Sequence, residues 1–196
     1  MNNFLPLILF ALSSTFTPGP NNFMVMNSGM HFGIKKSLPH CIGICLGFPV
    51  MVLLVALGLG AIFVKHQWIK LVLKVLGSIY MLYLAWLTLT SHSKSTSVST
   101  QNPLSFLQAA LFQWVNPKAW LMAVSTISIF TITANYYMNA IIISIVFLFA
   151  CIPSIGAWLL FGNVLQRIIR NDRHRIWFNI IMSLGIVGSI AMIIFD

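Results

Sequence analysis

Thr17-Pro18-Gly19-Pro20-Asn21-Asn22 and Asn116-Pro117-Lys118 interrupt two apolar segments at nearly the same depth, about 14 residues past Phe4 and about 13 past Leu104. Inside a membrane span such a cluster is costly, because lipid offers nothing to the backbone groups it frees. It is tolerated where that backbone lines a cavity, and a matched pair of interrupted spans is the best sequence pointer to a transporter's substrate site. The pair predicts a small-molecule transporter.

The residues around the breaks define the solvent. Hydrophobic residues make up 59% of the 196 and charged residues 7%, against roughly a quarter charged in a soluble domain. There is no Glu, and the acidic residues are Asp172 and Asp196. This is the composition of an integral membrane protein. The net charge of +9 does not imply nucleic acid, because Lys and Arg sit between apolar segments, where topology signals lie. Residues 1–14 lack a preceding basic residue and a small-x-small cleavage site, so they read as part of a retained first span.

A span needs ~20 apolar residues. Six segments qualify, at 4–30 (broken), 38–64, 69–90, 104–130 (broken), 138–160 and 176–195. The polar, Ser-rich stretch 91–103 reads as a flexible linker between repeats 1–90 and 104–196. Three spans is an odd number, so tandem repeats enter the membrane in opposite directions. The expected fold is all-α: six transmembrane helices as two inverted three-helix repeats, with helices 1 and 4 broken.

The positive-inside rule favours both termini outside. The inner loops then hold Lys35, Lys36, Lys94, Arg167, Arg170, Arg173 and Arg175, against Lys65, Lys70 and Lys74 outside. Small residues one turn apart, Gly43 with Gly47 and Ala56 with Gly60, let backbones approach closely; Gly77, Gly156 and Gly185 add further notches. These predict packing within one protomer, with a homo-oligomer interface or substrate passage as the alternative.

At the first break, Pro18 and Pro20 lack an N–H and clash with the carbonyl one turn earlier, so they stop the helix. Gly19 lets the backbone turn. Pro20 then starts a new helix, leaving the amides of Asn21, Asn22 and Phe23 unpaired. At the second, Asn116 reads as an N-cap, Pro117 as the first helical residue and Lys118 as the next. Each start carries about half a positive charge and free donors, a setting for a carboxylate, and Lys118 adds a full charge. An intramembrane Lys costs at least ~2.5–3.5 kcal/mol on insertion scales, which marks it as functional unless it snorkels to the surface. The candidate substrate-binding residues are Pro18, Gly19, Pro20, Asn21, Asn22, Asn116, Pro117 and Lys118.

The carbonyls at both breaks, with Asn21, Asn22, Asn27 and Asn116, would receive an ammonium group. With no Asp or Glu inside a span, an additional positive charge would be buried unpaired, so a small zwitterion fits better than a cationic amino acid. The titratable groups available for ion coupling are Lys118, His31 and His40, the two histidines reading first as interfacial residues.

The quoted breaks, with Gln113-Trp114-Val115 before the second and Gly77-Ser78-Ile79-Tyr80-Met81-Leu82-Tyr83-Leu84 in the third span, resemble the lysine exporter/homoserine-threonine exporter superfamily of bacterial amino-acid efflux proteins. The resemblance covers the whole chain. Gly43-Ile44-Cys45-Leu46-Gly47-Phe48 and Pro20-Asn21-Asn22 look most similar to its cysteine/O-acetylserine exporter branch. Branches that move basic amino acids tend to carry an acidic residue in the second span, where Leu46 and Gly47 stand here. The resemblance implies outward, proton-driven transport across a bacterial inner membrane, with no cofactor and no enzymatic activity.

A rival from another class is a membrane thiol–disulfide electron carrier using Cys41, Cys45 and Cys151. Pro and Asn, not Cys, occupy the two breaks, which counts against it. A passive channel would need a selectivity-filter repeat or a ring of charges, and neither is written here. A phosphate-binding glycine loop and metal-ligand spacing are also missing.

Overall fold

The computed structural model describes residues 4–59, 67–90, 102–130, 136–168 and 172–194. Most of the linker (91–101), and Gly60, Lys65, Lys94, Arg170 and Asp196 with it, lie outside the described residues. Among those described the chain is all helical: α1 Phe4–Phe16, α2 Pro20–Leu54, α3 Gln67–Thr90, α4 Phe106–Val115, α5 Pro117–Phe130, α6 Tyr136–Ile168 and α7 Asp172–Ile194. A wide π-helical turn, Val55–Leu59, continues α2.

Helix α2 is two arms, 20–32 and 34–54, because Gly33 takes φ 73° and ψ 178°, a left-handed conformation that favours glycine. In a straight helix Ser28 and His40 would stand about 18 Å apart at 1.5 Å per residue. Here Ser28 Oγ and His40 Nδ1 are 3.0 Å apart, so the chain folds back on itself at Gly33. The sequence suggested a short loop near this point, and the reversal is a single residue. Pro39 and Pro49 lie inside the second arm. The carbonyl of Pro49 accepts a hydrogen bond from Ser144 Oγ at 2.8 Å, which ties this arm to α6.

Helix contacts run between the halves of the chain. The largest is α2 on α6, followed by α2 on α4 and α3 on α7, and α1 rests on α6. The core centres on Phe48 and Phe147, fully buried rings 5.1 Å apart and nearly perpendicular. Around them pack Leu7, Met51, Val52, Ala119, Ala123, Ile143 and Cys151. The exterior is apolar as well, with Trp68, Trp86, Phe149, Trp177 and Leu184 exposed. Tyr136–Ile168 is long and apolar enough to cross a bilayer as one helix, whereas the equally apolar Pro20–Leu59 is divided by the reversal at Gly33.

Gly43 and Gly47 face α4: a methyl group at Gly43 would strike the Phe106 carbonyl, and one at Gly47 the Ala110 backbone. This stripe therefore packs within the chain. Gly77 does the same against the Val115 carbonyl and Gly185 against the Phe23 ring, whereas Gly156 faces open space.

Candidate functional site

A helix end leaves its last carbonyls without intrahelical partners. Where α1 stops, side chains from three other helices supply them. Asn22 Nδ2 donates to the Thr15 carbonyl at 3.0 Å and to the Thr17 carbonyl at 2.8 Å. Ser154 Oγ, on α6, also donates to Thr15 at 2.8 Å, and Trp158 Nε1 reaches the Phe16 carbonyl at 3.3 Å. Lys118, from α5, sends its ammonium to the carbonyl of Thr17 and to that of Pro18 at 3.4 Å. Cations suit this negative end of the helix dipole.

The ammonium of Lys118 therefore binds the other break's carbonyls. Gly19 has a different reason from the one expected. Its backbone is extended (φ −177°, ψ 178°), which any residue adopts. What a side chain would meet is the Lys118 stem, since a Cβ there would stand 2.7 Å from Lys118 Cδ and Lys118 would have to move aside.

Pro20 opens α2, and the first intrahelical bond runs from the Phe23 amide to the Gly19 carbonyl at 3.0 Å. Phe23 is thus paired, leaving Asn21 and Asn22 as the residues whose amides precede the first intrahelical bond. At the second break Asn116, only 1% exposed, caps α5 as expected, its Oδ1 accepting the Lys118 amide at 3.1 Å.

The two breaks are joined by a residue that the sequence reading quoted but did not place in the site. Gln113 is fully buried and exchanges two hydrogen bonds with Asn21, at 2.8 and 3.2 Å. Its Nε2 also donates to the Ala109 carbonyl at 2.9 Å. An amide in an apolar run, three residues before Asn116, was the available signal.

Between the breaks lies a small cavity of about 30 Å³, room for a group the size of a water molecule. Gly19, Asn21, Asn22, Asn116 and Lys118 line its polar side. Ile44, Phe48, Met122, Cys151 and Ile155 line its apolar side. Pro18, Pro20 and Pro117 do not line it; they set the helix ends that do, and Pro18 supplies its carbonyl to Lys118.

The three cysteines are unpaired. Cys151 lies in the cavity wall, while Cys41 is buried among Val25, Ile44 and Ile155. His40, 1% exposed, joins the arms of α2 through Ser28, and its Nε2 has no hydrogen-bond partner among the described residues. His31 Nδ1 lies 3.1 Å from the Asn27 carbonyl. No group of three or more His, Cys, Asp or Glu that could hold a metal occurs among the described residues.

Over residues 12–195 the chain matches the family described as LysE type translocator, and it belongs to that family. It is similar to the cysteine/O-acetylserine efflux protein of Escherichia coli O1:K1 / APEC, with 29% identity over 180 residues, 91% of this chain and 90% of that protein. The protein of the same name from Salmonella paratyphi A is 31% identical over the same shares of the two chains, 91% and 90%. No solved structure matches the chain.

Proposed function

We propose that this protein is a secondary transporter exporting small neutral amino acids or their metabolites across the bacterial inner membrane. The observation that carries the reading is the convergence of both helix interruptions on one cavity, with Asn21, Asn22, Asn116 and Lys118 on its polar side. Half-helix starts and a lysine suit a carboxylate, and backbone carbonyls suit an ammonium. Since no Glu occurs and no Asp lines the cavity among the described residues, an additional substrate cation would find no counter-charge there.

Six spans in two inverted repeats, 1–90 and 104–196, belong to this reading. The largest helix contacts among the described residues support it, because they keep their partners when the halves are exchanged, although the smaller contacts of α3 on α4 and α2 on α7 have no such counterpart. α2 on α6 and α3 on α7 would each map onto themselves, and α1 on α6 onto the second arm of α2 on α4. Transport then alternates access by rocking one repeat against the other around the breaks. The exposed Trp68, Trp86 and Trp177 suit contact with lipid. Both termini lie outside, and the proton gradient drives export. The names of the relatives bring cysteine and O-acetylserine forward as the first substrates to try.

Efflux from proteoliposomes loaded with labelled cysteine, O-acetylserine, threonine, leucine or lysine, with and without an imposed proton gradient, tests it. Saturable, gradient-sensitive efflux of the neutral compounds and none of lysine is the expected result. Folded protein that releases none of them overturns the reading.

A further inference from the structure

We propose that the carbonyls of Thr17 and Pro18 form the ammonium subsite of the transporter, and that Lys118 occupies it in the empty protein as a built-in stand-in for the substrate's own ammonium. This inference rests on the export reading above and names the part of the site that receives one end of the substrate.

The hydrogen bonds at the end of α1 divide into fixed and exchangeable sets. Thr15 is held by Asn22 and Ser154, and Phe16 by Trp158, all neutral donors on short or rigid side chains. The Pro18 carbonyl is held by Lys118 alone among the described contacts, and Thr17 shares Lys118 with Asn22. Lys118 is the longest and most mobile of these donors, and its group is chemically the one that an amino acid presents. Gly19 leaves room for its stem beside the break. With no carboxylate in the cavity lining among the described residues, carbonyl dipoles are what the site offers an ammonium.

Displacement has a charge requirement. When a substrate ammonium takes the two carbonyls, the Lys118 ammonium leaves them and needs an anion inside a low-dielectric cavity. A zwitterion brings that anion in its own carboxylate. A simple amine displaces Lys118 and leaves it uncompensated, and a simple carboxylate leaves the carbonyls unpaired. Selectivity for zwitterions follows from the exchange itself.

The test restores the missing ammonium from solution. Lys118→Ala removes three methylenes and an ammonium, which n-propylammonium reproduces. The full chain in detergent is melted with increasing n-propylammonium, with 1-propanol as the uncharged control. A saturable rise in Tm of Lys118→Ala, absent from the unsubstituted protein and with 1-propanol, is expected. Lys118→Met covers the case in which the alanine variant does not fold: it keeps the length of the stem without the charge, and ammonium chloride should raise its Tm above equal sodium chloride. No saturable rise in either variant, or an equal rise in the unsubstituted protein, overturns the subsite. Export measured separately distinguishes the two readings. Ammonium-dependent stabilisation without export of any amino acid removes the exporter and keeps the subsite, whereas export without it does the reverse.

Discussion

Asn21 and Gln113, 92 residues apart, face each other as a reciprocal amide pair: Asn21 Nδ2 donates to Gln113 Oε1 at 2.8 Å, and Gln113 Nε2 returns to Asn21 Oδ1 at 3.2 Å. The pair stitches the start of α2 to the last turn of α4. Truncating Asn21 leaves the buried Gln113 Oε1 without this partner, at about 1–3 kcal/mol, and truncating Gln113 costs less because Asn21 is only partly buried. Gln113→Ala and Asn21→Ala should each lower Tm, and the double variant should lose less than the sum. Strict additivity in that thermal double-mutant cycle would show that the pair carries no coupling.

Asn22 is 3% exposed and acts only as a donor to Thr15 and Thr17 in the described contacts. Asn22→Ala removes both donors. Asn22→Asp goes further, placing carboxylate oxygens against two carbonyl oxygens with a charge to desolvate. The melting temperatures should fall in the order Asn22, Ala, Asp, and an aspartate variant as stable as the parent would refute the assigned amide orientation.

Close helix approach separates two glycines of α6. A methyl group at Gly162 would strike the Met26 carbonyl, while Gly156 faces open space. Gly162→Ala should destabilise by about 1–3 kcal/mol through overpacking. Gly156→Ala should be stabilising by roughly 0.5–1 kcal/mol, because alanine restricts the unfolded chain and favours helix. Paired melts of the two variants read the sign directly.

The exporter reading gives no chemical role to the thiols. A protein carrying Cys41→Ala, Cys45→Ala and Cys151→Ala together should retain gradient-driven efflux from proteoliposomes, with a change in substrate affinity confined to Cys151, which lines the cavity. Loss of efflux on replacing Cys41 and Cys45 alone would restore the redox alternative.

Lys118→Ala should reduce efflux to that of protein-free liposomes while the protein still inserts and folds. Efflux close to that of the parent protein would remove Lys118 from the site.

The helix ends at both breaks were legible because their signals are local: Pro20 and Pro117, each beside a second breaker or a cap, favour the first turn of a helix, and Asn116 can cap one. The bounds elsewhere were not. Apolar counting ended the fifth segment at 160, but α6 continues to Ile168, since loss of hydrophobicity marks the edge of lipid and not the end of a helix. Nor does counting register Ser105 and Gln108, whose reciprocal capping box starts α4. The partners of Lys118 were illegible for a deeper reason. Its ammonium meets carbonyls 100 and 101 residues away, and only the assembled fold brings them together.

The end of α1 also sets a timetable for synthesis. Ser154 and Trp158 lie 139 and 142 residues beyond the carbonyls they serve. At roughly 5–20 residues per second, those donors leave the ribosome on the order of ten seconds after Thr15 and Phe16 do. Throughout that interval the first helix has no access to two of its native partners, and its final seating waits for α6.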